Sequence, residues 1–212
     1  MAKCGACWLF KLVYIAFLLC FFAVFIFWLI FRPKEVKFHV TDATLTRFNF
    51  NTTNNTLYYN LSANITLRNS NKRVGVNYNS IEAIAYYQNK WFSNVGLTPF
   101  YQGHKNTSIL RPVFEGQKDM SLQVLDLSKM NEEMSAGVFG IDIRLSVQIS
   151  INYGKFKTFK FKPRMIYCPL KVPLSDNGTV AEGFKTTQCN DAHFFSAPDD
   201  TDWEFETTSN PV

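Results

Sequence analysis

The chain has three histidines among 212 residues, His39, His104 and His193, and they are far apart in sequence. None falls in an H-E-x-x-H arrangement, which places two imidazoles one helical turn apart to hold zinc. A G-x-S-x-G nucleophile turn, a G-x-x-x-x-G-K-[ST] phosphate loop and paired-cysteine zinc spacing are missing as well. Catalysis, a metal and a bound cofactor are therefore not expected. His104, within Gln102-Gly103-His104-Lys105, reads as a loop hydrogen-bonding residue rather than a catalyst. Two carboxylates working as in a glycoside hydrolase would have to meet in space, and acids carried on strands are ordinarily solvated.

Cysteine is scarce too. Of the five, Cys4, Cys7 and Cys20 lie in the N-terminal apolar region, which leaves Cys168 and Cys189 for the body. Two cysteines in an oxidising compartment suggest one bridge, with two separate buried thiols as the alternative. Charge is missing altogether from Leu12 to Phe31, a run dense in Phe, Leu, Ile and Val with Trp8 and Trp28 toward its ends. Twenty residues at ~1.5 Å each reach ~30 Å, the thickness of the hydrocarbon core of a bilayer. A cleaved signal peptide has an apolar stretch of only ~7–15 residues closed by small side chains. Here the run ends in Trp28-Leu29-Ile30-Phe31-Arg32-Pro33, so an uncleaved anchor over 12–31 is expected, with the bilayer as its partner.

Flanking charge leaves the orientation open. Lys3, Lys11 and the α-amino group precede the span, and Arg32, Lys34 and Lys37 follow it. The glycan acceptor pattern N-x-[ST] decides, because transfer takes place only in the secretory lumen. It occurs at Asn51, Asn54, Asn60, Asn64, Asn106 and Asn177, all after the span. The expected order is a cytosolic tail over 1–11, the anchor, a lumenal or extracellular domain over 32–198, and an acidic, disordered tail over 199–212. Cys4 and Cys7 then lie beside the membrane on the cytosolic side, where S-acylation or plain reduced thiols are both open.

The body alternates apolar and polar residues, the period of a strand with one buried face. Leu57, Tyr59, Leu61, Ala63, Ile65 and Leu67 form one set, and Phe139, Ile141, Ile143, Leu145, Val147, Ile149, Ile151 and Tyr153 a longer one. Asn60 and Asn64 fall on the polar face of the first, which favours them as glycan acceptors. Further strands are expected over 36–50, 74–78, 81–87, 106–114, 121–127 and 156–167, with a helical break over 128–134 opened by Ser128 as N-cap. Seven or eight strands in one domain suggest an all-β, two-sheet sandwich. No internal repeat or long linker is present.

Lys155, Lys157, Lys160, Lys162 and Arg164 fall within ten residues that hold no acid. Lysines protect exposed edge strands from aberrant pairing. The competing reading is an anion-binding face. From Arg32 to Pro198 there are 20 basic against 12 acidic residues, a surplus of eight. The topology excludes nucleic acid, so acidic cell-wall polysaccharide and anionic lipid headgroups are the candidate partners, beside other membrane proteins.

The segment Asn69-Ser70-Asn71-Lys72-Arg73-Val74-Gly75-Val76-Asn77-Tyr78 resembles an N-P-N-[KR]-[KR]-[IV]-G-[IV]-Y-Y signature. It belongs to the plant NHL proteins, harpin-induced and disease-resistance-related, whose ectodomain is a late-embryogenesis-abundant group 2 domain. Leu29-Ile30-Phe31-Arg32-Pro33, Phe38-His39-Val40-Thr41-Asp42-Ala43, Phe100-Tyr101-Gln102-Gly103-His104-Lys105-Asn106-Thr107 and Cys168-Pro169-Leu170-Lys171-Val172-Pro173-Leu174 are also similar. Ser70 stands in the place of a proline and Asn77 of a tyrosine, while Gly75 stays where a bend is expected. The tail before the span is shorter than in many relatives, and no second apolar segment closes the chain. The resemblance implies a plasma-membrane protein of defence, stress or senescence with an all-β, fibronectin-III-like or immunoglobulin-like sandwich outside. It implies no reaction, and a non-enzymatic adhesion or signalling component at the membrane–wall boundary is the leading reading. A lipid-binding or desiccation-protective module is the second reading.

Overall fold

A computed structural model describes residues 3–31, 33–154, 156–158, 160–175, 183–190 and 194. The side chains of Cys4 and Cys7, together with Lys155, Phe159, Asn177, His193 and the tail over 199–212, lie outside the described residues. The chain forms two compact units, Met1–Pro33 and Lys34–Val212.

The first unit is the helix α1, Lys3–Phe31. Its 29 residues make it about 43 Å long at 1.5 Å per residue. Trp8–Ile26 is long and apolar enough to cross a membrane once. Apolar side chains point outward all round it, as on a helix whose solvent is lipid.

The second unit is a two-sheet antiparallel β-sandwich, the all-β class expected. In the first sheet the order is β11 (Thr187–Gln188), β1 (Lys37–Asn51), β2 (Thr56–Arg68), then β6 (Thr107–Leu110) and β7 (Val113–Asp119) end to end along β2. In the second, β10 (Arg164–Pro173) precedes β8 (Val138–Tyr153) and β3 (Val74–Tyr87). The far edge is β4 (Lys90–Leu97) with β5 (Phe100–Gln102), and β9 (Phe156–Lys157) extends the β8 hairpin. Inward residues of β2 and β8 form the two strict alternations seen in the sequence, with Leu61, Ile65, Ile143 and Leu145 fully buried between the sheets.

Bulges keep the other strands facing inward. In β1 register shifts fall between Val40 and Asp42 and between Leu45 and Arg47. The buried set therefore changes phase twice, from Phe38 and Val40 to Ala43 and Leu45, then to Phe48. In β3 a shift between Tyr78 and Ser80 makes Asn79 the extra residue. This joins the segments 74–78 and 81–87, expected apart, into one strand of opposite phase on either side of the bulge.

Several expected elements are corrected. Residues 121–127 are not a strand: helix α2 spans Val124–Ala136, and Ser128 lies inside it. Its first turn is set by Asp126, whose carboxylate accepts the Gln123 N–H at 2.9 Å, closing one half of a capping box. Gly137 ends the helix in the left-handed region at φ 68°. The expected strand over 106–114 divides at Arg111-Pro112 into β6 and β7, because the main-chain carbonyl of Pro112 accepts Ala63 N–H at 3.1 Å but its nitrogen has no proton to give. Strands β4 and β5 lack a clean alternation and were not expected.

The expected strand over 156–167 is two short pieces of ladder separated by a looped stretch. Among the described residues, Phe156–Lys157 and those from Arg164 onward form ladder pairs with β8. Between them Thr158 N–H bonds to the Ile151 carbonyl and Phe161 N–H to that of Ile149, so three residues advance against two.

One flank of the sandwich is stitched shut. Leu174 bridges to Leu45, Ser175 N–H bonds to the Leu45 carbonyl at 2.7 Å, and Cys189 N–H bonds to that of Phe38 at 3.0 Å. Cys168 of β10 and Cys189 beyond β11 are joined by a disulfide with Cα atoms 4.3 Å apart, linking an edge of each sheet.

Candidate functional site

Hydrogen bonding gathers the signature segment at one end of the sandwich, the end where the chain enters it. Strand β2 finishes at Arg68, β3 begins at Val74, and the crossover between them carries Asn69 and Asn71. Both are buried, Asn69 completely. A buried amide is stable only if its donors and acceptor are engaged. Asn69 donates to the carbonyls of Val74 at 2.9 Å and Gly103 at 3.0 Å, and its Oδ1 accepts the N–H of Asn71 at 3.0 Å. Asn71 bonds the incoming chain, accepting Lys34 N–H at 2.6 Å and donating to the Lys34 carbonyl at 2.8 Å. Lys105 N–H closes the set on the Asn71 carbonyl at 2.9 Å. The three segments around Lys34, 69–74 and 103–106 are thus one hydrogen-bonded unit.

Gln102 extends it inward. It is fully buried, donates to the Leu67 carbonyl at 2.9 Å, and accepts the Tyr78 hydroxyl at 3.0 Å. Burial raises the Tyr78 pKa, so the phenol stays a donor to that amide oxygen. Phe100 stacks on the Tyr78 ring, centroids 4.6 Å apart.

Gly75 lies within β3 and not at the bend expected of it. Its role is close approach: a Cβ there would stand 2.7 Å from ring carbons of Tyr101, nearer still to the hydroxyl. Asn77 is half-buried and donates to Asn152 Oδ1 at 2.7 Å, while Ser70 is exposed. His104 is exposed in the turn between β5 and β6.

Around this amide unit the outward side chains are basic. Lys34, Lys37, Arg68, Lys72, Arg73 and Lys105 are all exposed. The β8–β9 hairpin reaches the same end, since Tyr153 pairs with Val74, and Lys157 is exposed there. Arg68 also props the β5–β6 turn, bonding the Lys105 carbonyl at 2.8 Å and Thr107 Oγ1 at 2.9 Å. The basic run thus contributes only its first part to this end. Lys160 and Lys162, both exposed, lie on the looped stretch beside β8, and Arg164 opens β10. The four described cations of the run, Lys157, Lys160, Lys162 and Arg164, do not share one face of one strand.

The glycan acceptors divide by position. Asn51 and Asn54 are exposed at the β1–β2 turn, at the opposite end of the sandwich, and Asn106 is exposed at the basic end. Asn60 and Asn64 are half-buried on the outer face of the central strand β2, and Asn64 donates to Asp42 at 3.2 Å. Asn60 also lines a shallow depression of about 310 Å³ with Arg47, Tyr58 and Glu115, on that outer face and not between the sheets.

One apolar helix followed by an antiparallel sandwich that is filled by its own side chains and closed by a disulfide defines a helix-plus-sandwich protein with its signature at the end nearest the helix in sequence. The chain is 43% identical over 181 residues to NDR1/HIN1-like protein 10 of Arabidopsis thaliana, covering 84% of this chain and 80% of that one. It is 43% identical to NDR1/HIN1-like protein 3 over 79% of this chain and 72% of the relative, and 39% identical to NDR1/HIN1-like protein 2 over 78% and 69%. It belongs to the NDR1/HIN1-like family, the plant NHL proteins. No family model matches the chain. A solved protein from Archaeoglobus fulgidus aligns over 68% of this chain and 98% of its own at a TM-score of 0.31 and 10% identity, a likeness too slight to build on.

Proposed function

We propose that this chain is a non-enzymatic component of plant defence, stress or senescence responses, anchored in the plasma membrane by residues 12–31, with a late-embryogenesis-abundant group 2 sandwich outside that acts in adhesion or signalling. Family membership carries this reading, since the similarity to the first relatives covers 84% and 79% of this chain at 43% identity. The acceptor triplets, all located after the helix, and the Cys168–Cys189 bridge support a domain exposed to the secretory pathway. The lipid-binding or desiccation-protective alternative calls for an apolar slot between the sheets. Tyr78, Leu45, Leu61, Ile65 and Leu145 fill that space, which favours adhesion or signalling.

Two experiments test the reading. In sealed microsomal vesicles, whose lumen is equivalent to the outside, a C-terminal tag should resist added protease, and endoglycosidase should increase gel mobility. In plants lacking the protein, adhesion of the membrane to the wall during plasmolysis, or the response to an elicitor, should weaken. A tag cleaved in sealed vesicles rejects the topology, and plants unchanged in both adhesion and elicitor response reject the role.

A further inference from the structure

The positive charge of the domain is unevenly spread. At the end where the chain enters, six exposed cations, Lys34, Lys37, Arg68, Lys72, Arg73 and Lys105, surround the amide unit, and the acid among the described residues there is Glu35, which accepts the Phe194 N–H at 3.0 Å. Asp119, Asp126, Glu132, Glu133 and Asp142 lie toward the opposite end. The cations come from the segment leading into β1 and its first residue, the end of β2, the β2–β3 crossover and the β5–β6 turn, which the Asn69, Asn71 and Gln102 amides hold together. Tyr101, more than half exposed, adds an aromatic ring of the kind that settles at headgroup level.

Sequence distance fixes what this end can meet. Only Arg32 and Pro33 separate Phe31, the last residue of α1, from Lys34. Three residue steps reach about 10 Å at full extension, whatever the angle between the two units. The screening length at physiological salt is ~8 Å, and a tether this short allows Lys34 and its neighbours to come within that distance of a charged bilayer surface. A wall polymer could approach any side of the sandwich, so it gives no reason for cations to collect at the end beside the anchor.

We propose that this end is a docking surface for the headgroups of anionic phospholipids in the leaflet from which the anchor emerges. The inference rests on the proposed anchoring and outside topology, so the anionic headgroups it needs are those of the extracellular or lumenal leaflet. Held lysine and arginine side chains meet a plane of phosphate and carboxylate groups, each contact is weak, and their number supplies the binding.

The test uses the full chain in nanodiscs of phosphatidylcholine alone or with phosphatidylserine, read by amide hydrogen exchange. Amides of 69–75 and 103–107 should exchange at least about threefold more slowly in the anionic discs, with those of β8 unchanged. The variant Lys72→Glu, Arg73→Glu, Lys105→Glu should lose that difference while its β8 protection shows it folded. Equal exchange in both disc types, or a difference surviving in the folded variant, overturns the proposal. Protection by soluble polygalacturonate but not by phosphatidylserine does so in favour of a polysaccharide partner. A complete glycan at Asn106 in native protein also counts against it, because a sugar there would hold the surface off the bilayer. A chain that does not enter the discs overturns the anchoring reading instead, and this proposal with it.

Discussion

The two ends of the sandwich are held by different chemistry. At the end where the chain enters, neutral amides do the fastening: Asn69, Asn71 and Gln102 bond main-chain groups of neighbouring segments, and the cations stand outside. At the other end, charges fasten the helix α2 to the sheets. Lys90 meets Asp126 at 2.7 Å and donates to the Ser121 carbonyl at 2.6 Å, and Tyr87 donates to Glu133 at 2.7 Å. A buried neutral amide has no charge to neutralise and is insensitive to salt, whereas an exposed ion pair is weak and screened. One end is therefore rigid with its cations facing outward, while the other uses charge to fix its own helix.

The largest difference should appear on removing one fastening from each end. Asn69→Ala strands the Val74 and Gly103 carbonyls in a buried site and frees Asn71, so the domain should lose about 3 kcal/mol or more. Glu133→Gln at the far end keeps an acceptor for Tyr87 and should cost about 1 kcal/mol or less. Thermal unfolding of the folded domain measures both. A drop of about 6–12 °C for the first against a few degrees for the second is expected at this size. Equal shifts would erase the distinction between the ends.

The bridge between Cys168 and Cys189 serves neither end but the stitched flank. It closes a loop with a sequence separation of 21, and its loss should cost roughly 3 kcal/mol in the chain-entropy model. Reduction, or the Cys168→Ala, Cys189→Ala double variant, should lower the unfolding midpoint without changing the ranking of the end variants. A ranking reversed on reduction would mean that the flank, and not the local bonding, sets the difference between the ends.

How much of this was legible in the sequence depended on phase. β2 and β8 were read almost to the residue because their buried sets keep one phase throughout. β3 was read as two strands because the bulge at Asn79 shifts Ile81 onto the opposite parity from Tyr78, and periodicity sees an end where the chain has only gained a residue. Residues 121–127 misled because two or three alternations fit a strand or a helix alike, and the deciding signal was the Asp126 carboxylate three residues after Gln123. At the candidate site, the signature drew attention to the right segment but not to its mechanism. Asn69 and Gln102 look like surface residues in sequence, and Gly75 looks like a turn. That a ring from β5 lies over Gly75 follows only from the pairing of Val76 with Gln102.

Alkali should act on both ends together. Burial raises the pKa of Tyr78 at the near end and, with the Glu133 hydrogen bond adding to it, of Tyr87 at the far end. A folded-state pKa above the unfolded value means the contribution is whole below pH ~10 and is lost as pH rises toward the folded value. Each tyrosine should remove up to about 1.4 kcal/mol per pH unit once its unfolded phenol is ionised, so the pair should remove up to about 2.7. Tyr87→Phe and Tyr78→Phe should each take away about half of that slope. A flat stability between pH 10 and 11 would mean that neither phenol is held neutral.

Acid should distinguish the ends, by the smallest effect. Asp126 has its pKa lowered first by the hydrogen bond from Lys90 and then by the Gln123 N–H. For a carboxyl depressed in the folded state, the contribution is present above the unfolded value near 3.9 and is lost as pH falls through the folded one. The Lys90–Asp126 pair is partly open to water, so screening keeps its worth below about 1 kcal/mol. Exchange of the α2 amides should therefore quicken modestly below pH 4, and more at low salt than at high. The amides of 69–75 should show no matching acid step, because the groups that hold them do not titrate there. Asp126→Asn should remove the α2 response and leave the near end as it was. An acid step of equal size at both ends, or one at α2 that survives Asp126→Asn, would show that the far end is not fastened by this charge.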